Sequence, residues 1–580
     1  MRMHAIRGAG AELGEGPLPL VIGITGHRDV RDEDRETLRH RLREVIAELQ
    51  SRYPQTPLIL LSPLAEGADR LAAHVALDCG VRLVAPLPMP QALYEADFQS
   101  PESLAEFRQL LQRAMRWFEL PVLTPNTGVK CLPQGEARDR QYAYVGAYIS
   151  RHSQVLVALW DGVASEAEGG TAQVVRFKLQ GVPQRYAPAD EVNSPLDPVD
   201  SGPVYHILTP RAGSPGIVEQ ALRLTKLYPP VYESEAVAET SYGRIYARMN
   251  AFNRDVLRVG SSLSPAREHS KAYLIPVSQV EQFPHSLQYV LECYATADAL
   301  ALVYQRRTLL TLRGLLGLSL LAAIFFQLYG QIKTKPWGLA AGYLGSLGAA
   351  YAWYMWAKRR DYDNKYLDYR ALAEGLRVLF FWRLAGLRHA VADHYLRKQR
   401  GELDWIRQAL RVWALVGGDE DAASIPPPAL KPEGNLRLIL KHWVENQFTY
   451  FSTAALREQT KFQKLKKVSS VFFLVGLAMG LIKVFLAPEH PILVAIGIMV
   501  ILAALVFGYA KSRALSEHAK QYARMGLIFA NAKRHLEGLL DAERLVEAQE
   551  LIGELGKEAL AENGDWVLLH RERPIQVPKG

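Results

Sequence analysis

Cysteine is scarce in this 580-residue chain: Cys79, Cys131 and Cys293 are the whole complement. They stand too far apart for a disulfide framework or for the paired spacing of a zinc site, and they fit a reducing compartment. The first twenty residues, MRMHAIRGAGAELGEGPLPL, hold no apolar core ahead of a cleavage site and do not read as a signal peptide. Interleaved basic and aromatic residues are lacking away from the apolar runs, which argues against a nucleic-acid partner. The net charge of +8 is concentrated beside those runs instead. A hydrophobic content of 49% with mean hydropathy near zero averages two populations, apolar segments and a charged remainder.

What is present is a set of four long apolar runs, about 314–330, 337–356, 468–487 and 491–510. Each is roughly as long as the ~20 residues that cross a hydrocarbon core ~30 Å thick at ~1.5 Å per residue. The second pair repeats the first at an offset of 153 residues, and the register extends to Ala357-Lys358 against Ala510-Lys511 and to Tyr369 against Tyr522. A repeat of this size implies a membrane hairpin built twice. Arg306, Arg307 and Arg313 precede the first run, and Lys358, Arg359 and Arg360 follow the second. Lys461, Lys464, Lys466 and Lys467 precede the third run, and Lys511 and Arg513 follow the fourth. The turns carry fewer cations: Lys333, Lys335 and Lys483. Retention of positive charge on the cytoplasmic side then places both termini in the cytoplasm of a multi-pass inner-membrane protein. Lys483 either snorkels to the outer interface or lines a pore. Gly338, Gly342, Gly345 and Gly348 favour close helix contact, within the hairpin or at a constriction.

The first 210 residues alternate short apolar runs (19–28, 58–61, 81–86, 154–160 and 204–208) with helical patterns at 32–50, 69–78, 101–116 and 171–180. This order predicts a parallel sheet covered on both faces. Three clusters fall at predicted carboxyl ends of strands, where such sheets bind ligands. In Gly23-Ile24-Thr25-Gly26-His27-Arg28, glycines admit a phosphate, the Thr25 hydroxyl donates and Arg28 forks onto phosphate oxygens. A plainer reading makes it a tight turn with Arg28 paired to Asp29 or Asp32. In Ser62-Pro63-Leu64-Ala65-Glu66-Gly67-Ala68-Asp69, Asp69 reads as a helix cap, and Glu66, without a local partner, can accept from a ribose or base. In the third cluster, Asp161 and Gly162 end a strand and Gly169-Gly170-Thr171 open a helix, a ready anion site of exposed amides. His27 is expected to orient its loop or contact phosphate.

The segments GITGHR, LSPLAEGADRLA and LVALWDGVASEAEGGTA resemble the SLOG superfamily over about 19–210. This Rossmann-like group includes DprA and LOG proteins and the ADP-ribose-sensing region of TRPM channels. The C-terminal half resembles, in architecture more than in motif, the SLATT two-transmembrane modules found beside SLOG domains in bacterial conflict systems. The resemblances imply a nucleotide sensor coupled to a membrane effector. LOG-type phosphoribohydrolases carry a catalytic Glu three residues after their Gly-Thr, whereas Val174 stands there after Thr171, Ala172 and Gln173. That departure leans away from an enzyme, although Asp161, Glu66 or Glu168 can supply another carboxylate.

The expected organisation is an N-terminal tail (1–18), an α/β Rossmann-like nucleotide-binding domain (19–215) and a helical connector (216–285). Two membrane modules follow at 286–415 and 436–556, separated by a Pro-rich linker (416–435), with a tail at 557–580. Four transmembrane helices in two duplicated hairpins are too few for an evident aqueous pore, so a homo-oligomer is expected. The partners expected are a nucleotide- or NAD-derived small molecule and the bilayer. No cofactor, metal or catalytic residue is assigned; a membrane-anchored nucleotide hydrolase is the alternative.

Overall fold

The computed structural model describes residues 16–98, 100–123, 135–186, 199–213, 221–332, 334–396, 401, 403–418, 432–486 and 492–571. Cys131, Lys333, most of the 416–435 linker and the residues beyond Arg571 lie outside the described residues. So do the first fifteen residues and the middle of the segment at 185–203. The chain forms two compact units. One comprises Met1–Pro265, Val280–Cys293 and Arg388–Ala429; the other comprises Ala266–Gln279, Tyr294–Leu387 and Leu430–Gly580.

The first unit is built on a seven-stranded sheet. Its strands are β1 (Leu20–Gly26), β2 (Leu58–Leu61), β3 (Arg82–Leu87), β4 (Arg116–Glu119), β5 (Val155–Trp160), β6 (Val204–Leu208) and β7 (Leu224–Leu227). The order is β4-β3-β2-β1-β5-β6-β7, all parallel except β7, which pairs antiparallel with β6. The apolar runs predicted five of these strands, because β1, β2, β3, β5 and β6 are buried almost throughout. The two outer strands escaped that reading. In β4 only Phe118 is buried, and every residue of β7 is half-exposed, so neither makes an apolar run.

Helices cover the sheet: α1 (Arg35–Arg52), α2 (Ala68–Asp78), α3 (Pro101–Arg113), α4 (Glu136–His152), α5 (Thr171–Gln180) and α6 (Glu235–Val259). Helix α1 buries Leu38, Leu42, Val45, Ile46 and Leu49, the face expected from its period. Helix α6 belongs to this unit although it lies beyond residue 215. Asn253 exchanges two hydrogen bonds with the backbone of Leu18, at 2.7 and 2.9 Å. The helix Asp404–Gly417 does too: Trp405, Ile406 and Trp413 are fully buried, and Trp413 Nε1 donates to Pro17 O at 3.1 Å.

The second unit is helical: α7 (His285–Gln331, from Tyr294 onward), α8 (Trp337–Arg360), α9 (Tyr362–Leu384), α10 (Asn446–Lys483), α11 (Ile492–Ser512), α12 (Leu515–Asp541) and α13 (Leu545–Arg571). Outside the apolar runs it has an aromatic core. Phe381 stacks on Trp443 at 5.0 Å, Phe451 stacks on Phe529 at 5.6 Å, and Trp382 donates to Ile552 O at 3.2 Å. The apolar stretch 566–569, expected as a stub in a tail, is instead the last turn of α13. Trp566 and Val567 are buried there, Trp566 edge-on to Tyr366 at 5.9 Å.

Among the described residues, three helices are long and apolar enough to cross a membrane: His285–Gln331, Pro432–Lys483 and Ile492–Asp541. They expose Phe326, Leu477, Leu481 and Phe507, a display that suits lipid and is costly in water, and it marks a membrane protein. The second expected run forms α8, which is not among the three. Its glycines, tryptophans and tyrosines give it the length of a span without the hydropathy.

Candidate functional site

The sheet order reverses between β1 and β5, since the chain proceeds outward from β1 through β2, β3 and β4 and then returns to the other side of β1. The loops leaving β1 and β5 therefore diverge and open a crevice at the carboxyl ends of these strands, the usual ligand position in such sheets. Gly23 is not at that crevice. It lies inside β1, where an added Cβ would come within 2.8 Å of Ile149 and Ser153, so it admits the face of α4 and no ligand. Thr25 is also buried in the strand.

Gly26 and Gly67 join two of the clusters by backbone packing. A Cβ on Gly26 would lie 2.4 Å from Ala68 Cβ, and one on Gly67 would lie 2.3 Å from Arg28 O. Gly67 also has φ +80°, a conformation that side chains disfavour. Ala68 N–H donates to His27 O at 3.1 Å and closes the contact. At Gly26, where a phosphate was expected to approach, the space is taken by Ala68 Cβ and Leu159 O, and at Gly67 by the backbone of His27 and Arg28.

His27 meets the end of β5. Its Nε2 accepts from Asp161 N–H at 3.1 Å and lies 3.3 Å from Asp161 Oδ1, which in turn accepts from Val163 N–H at 3.0 Å. Burial, with Arg211 adding to it, lowers the imidazole pKa against the opposing pull of Asp161 and Asp29. A neutral ring suits the acceptor role of Nε2. Gly162, at φ +79°, carries the chain out of the strand.

Arg28 is solvent-accessible, and its expected partners are engaged elsewhere: Asp29 pairs with Arg211 at 3.1 Å and Asp32 with Arg35 at 2.9 Å. Its guanidinium instead lies over the ring of Tyr142 in α4, 4.9 Å from the centroid. The Tyr142 hydroxyl donates to Asp97, whose carboxylate pairs with buried Arg138 at 2.7 Å. Burial disfavours the charge on Arg28, but Tyr142, Tyr94 and Asp97 outweigh it and raise its pKa, so the cation persists. The third cluster reaches the same tyrosine. Gly169, at φ +78°, comes so close to α4 that a Cβ would lie 2.8 Å from both Tyr142 Cβ and Asp139 O. Gly170 caps α5 and Thr171 begins it; Gly169 N–H donates to Gln173 Oε1 at 2.8 Å and Gly170 N–H to Ala167 O at 3.4 Å, which leaves the Thr171 and Ala172 amides at the helix start without intrahelical acceptors. Val174 is buried, and a Cβ on Gly146 of α4 would approach it to 2.5 Å; the position holds packing volume where the resemblance would have a carboxylate.

The second cluster is mostly structural. Ser62 is buried and accepts from Leu64 N–H at 3.2 Å. Glu66 does have a partner, 37 residues away: it accepts from the hydroxyl of Ser103 in α3. Asp69 does not cap α2, whose N-cap is Gly67. Its carboxylate turns back to accept from Ala65 N–H at 3.3 Å. Burial pushes its pKa up to about 7, against the opposing influence of that N–H, Arg28 and Arg70.

The geometry thus brings together His27, Arg28, Asp161 and the Gly169–Thr171 turn, and leaves Gly23, Thr25 and Ser62 in the interior. Sequence reasoning missed Tyr142 and Asp97. The one available signal was the helical apolar spacing of Tyr142, Val145 and Ile149, which fits ordinary packing equally well. Among the described residues, no group of three His, Cys, Asp or Glu side chains is arranged to hold a metal ion. No protein-family model matches this chain, and no curated protein matches it.

Proposed function

We propose that the α/β unit is a SLOG-like sensor of a nucleotide- or NAD-derived ligand and that it controls a membrane effector of four spans in two duplicated hairpins. One observation carries the ligand-binding half of this reading: Arg28 and the Gly169–Thr171 turn, 141 residues apart in sequence, flank one side chain, Tyr142. A guanidinium over an aromatic ring, and the amino end of a helix close to the same residue, suit a phosphate beside a base or ribose. Asp161 and His27 lie next to them with hydrogen-bonding capacity for ribose hydroxyls.

The effector half draws on the three apolar helices and on α8 as the fourth span. Support for duplication comes from the helix breaks. Asp361, between α8 and α9, and Ala514, between α11 and α12, both have left-handed backbone (φ 56° and 47°) and stand at the 153-residue offset. In this reading both termini are cytoplasmic at the inner membrane, and a homo-oligomer forms or perturbs a passage in the manner of SLATT modules. Ligand binding acts only through different affinity for the resting and active assemblies.

The test is mass spectrometry of small molecules retained by the purified full-length chain, repeated for Arg28→Ala and Gly170→Asp. The reading expects a nucleotide-derived species in the wild type and its loss in both variants; retention in both would refute the assignment. The His27–Asp161 pair favours a second reading, a membrane-anchored hydrolase of such a ligand. Turnover of NAD, ADP-ribose or a nucleoside monophosphate that Asp161→Ala abolishes would favour it over a pure sensor.

A further inference from the structure

Helices α10 and α11 form an antiparallel hairpin whose register is fixed by two contacts. Ser469 Oγ donates to Ala503 O at 2.8 Å, and a Cβ on Gly476 would touch Met499 at 3.3 Å. Followed from these contacts, the amino half of α10 and the carboxyl end of α11 lie at the same end of the hairpin. Lys464, Lys466, Lys467, Lys511 and Arg513 gather there. The four lysines are exposed and Arg513 is half-exposed, and among the described residues no carboxylate pairs with any of the five. Glu458, six residues before Lys464, is taken by Arg457 and Lys461, and Glu517, four residues after Arg513, is also engaged. At the opposite end the described part of the hairpin carries one cation, Lys483.

The depth of these charges follows from the helix. Helix α10 runs unbroken from Asn446 to Lys483, so Lys464–Lys467 lie on the same rigid rod as the apolar stretch that begins at Val468. At ~1.5 Å per residue they stand ~2–6 Å beyond the start of that stretch. The headgroup layer on each side of a hydrocarbon core is about 5–7 Å thick. Exposed ammonium groups held at that level, without protein counter-charges, match phosphate-bearing lipid headgroups.

We propose that this end of the α10–α11 hairpin binds anionic lipid headgroups and that Lys464, Lys466 and Lys467 carry the selectivity. The proposal rests on the membrane reading of these two helices and is independent of the nucleotide site. Each such cation contributes about 1 kcal/mol near an anionic surface, so removing three weakens association with anionic lipid by roughly 100-fold at low salt. Screening reduces the effect as ionic strength rises.

The test places the full-length protein in bilayers of phosphatidylcholine mixed with phosphatidylglycerol, extracts it, and quantifies the lipids that remain bound by mass spectrometry. Wild-type protein should retain phosphatidylglycerol above its share of the bilayer, and raised salt should reduce the excess. Lys464→Gln, Lys466→Gln and Lys467→Gln combined should abolish the excess, whereas arginine at the same three positions should keep it. Lys557→Gln, on α13, should leave it unchanged. Equal retention of the two lipids by the wild type, or an undiminished excess in the glutamine variant, overturns the proposal. So does a nuclease-sensitive polyanion on the patch in place of lipid. Failure to enter bilayers of either composition would overturn the membrane reading as well, which distinguishes the two failures.

Discussion

The two units treat their arginines differently. In the helical unit Arg377 is enclosed and pairs with Glu374 at 3.1 Å; Arg370, partly exposed, pairs with Asp298 at 2.8 Å, which also accepts from Ser270 at 2.8 Å. In the α/β unit Arg138 is enclosed in the same manner by Asp97, but Arg28, whose guanidinium lies over the Tyr142 ring, remains accessible. Buried ion pairs offset their own desolvation and mainly hold the fold, whereas an accessible cation supported from below is available to a partner. The comparison separates residues that build each unit from residues that face outward: Arg28 in the first unit, the α10–α11 lysines in the second.

Substitutions at glycines that another part of the same unit approaches closely should have the largest effects. Gly67→Ala combines a φ of +80° with a Cβ 2.3 Å from Arg28 O and should destabilise the α/β unit by about 3 kcal/mol or more. Gly80→Ala, with similar φ but open space, should cost about 1 kcal/mol. In the helical unit Gly556→Ala would place a Cβ 2.2 Å from the Trp382 indole nitrogen and should cost about 1–3 kcal/mol. Thermal unfolding followed by near-ultraviolet circular dichroism and limited proteolysis would rank the three. An unperturbed Gly67→Ala protein would break the account of how the first two clusters are joined.

An effect of comparable size comes from pH. Asp69 has its folded-state pKa raised to about 7 by burial, above an unfolded value near 4. Its contribution to stability is fully present below the unfolded value and is lost as pH rises through the folded one. The α/β unit should therefore lose roughly 3–4 kcal/mol from this group between pH 4 and pH 7, and Asp69→Asn should flatten that dependence. Glu562 of the helical unit, raised to about 8 by burial and by Glu374 nearby, acts in the same direction over a window that extends higher. A stability profile of the Asp69→Asn protein that still falls across this range would move the origin elsewhere.

Binding should separate Arg28 from its support. Arg28→Ala should weaken ADP-ribose binding by about 10–100-fold, as expected for loss of a charged hydrogen bond, while leaving adenosine binding nearly unchanged. Tyr142→Phe keeps the ring under Arg28 and should cost less than Tyr142→Ala; titration calorimetry with both ligands checks each outcome. The smallest effect belongs to the surface pair Lys557–Glu554 at 2.8 Å, where Lys557→Gln should change stability by less than about 0.5 kcal/mol.

Much of the fold was legible because burial leaves a periodic mark. The central strands are runs of apolar residues, α1 repeats its apolar face, and α5 begins at Thr171 after paired glycines. Strands β4 and β7 were not legible, because outer strands half-exposed to water carry no such mark. Likewise the assignment of Asp404–Gly417 to the α/β unit depends on Trp413 reaching Pro17, nearly four hundred residues away, and nothing local signals that contact.

For the candidate site the division is sharper. Local sequence determined that glycines, an arginine and carboxylates stand at strand ends, and that long apolar helices recur with cations beside them, since composition and spacing are properties of short segments. Only the tertiary structure decided which glycines serve packing and which open a helix end, and that Glu66 is taken by Ser103. It alone brought Arg28 and Gly169, 141 residues apart, to the same Tyr142, because such contacts are decided by strand order and helix packing.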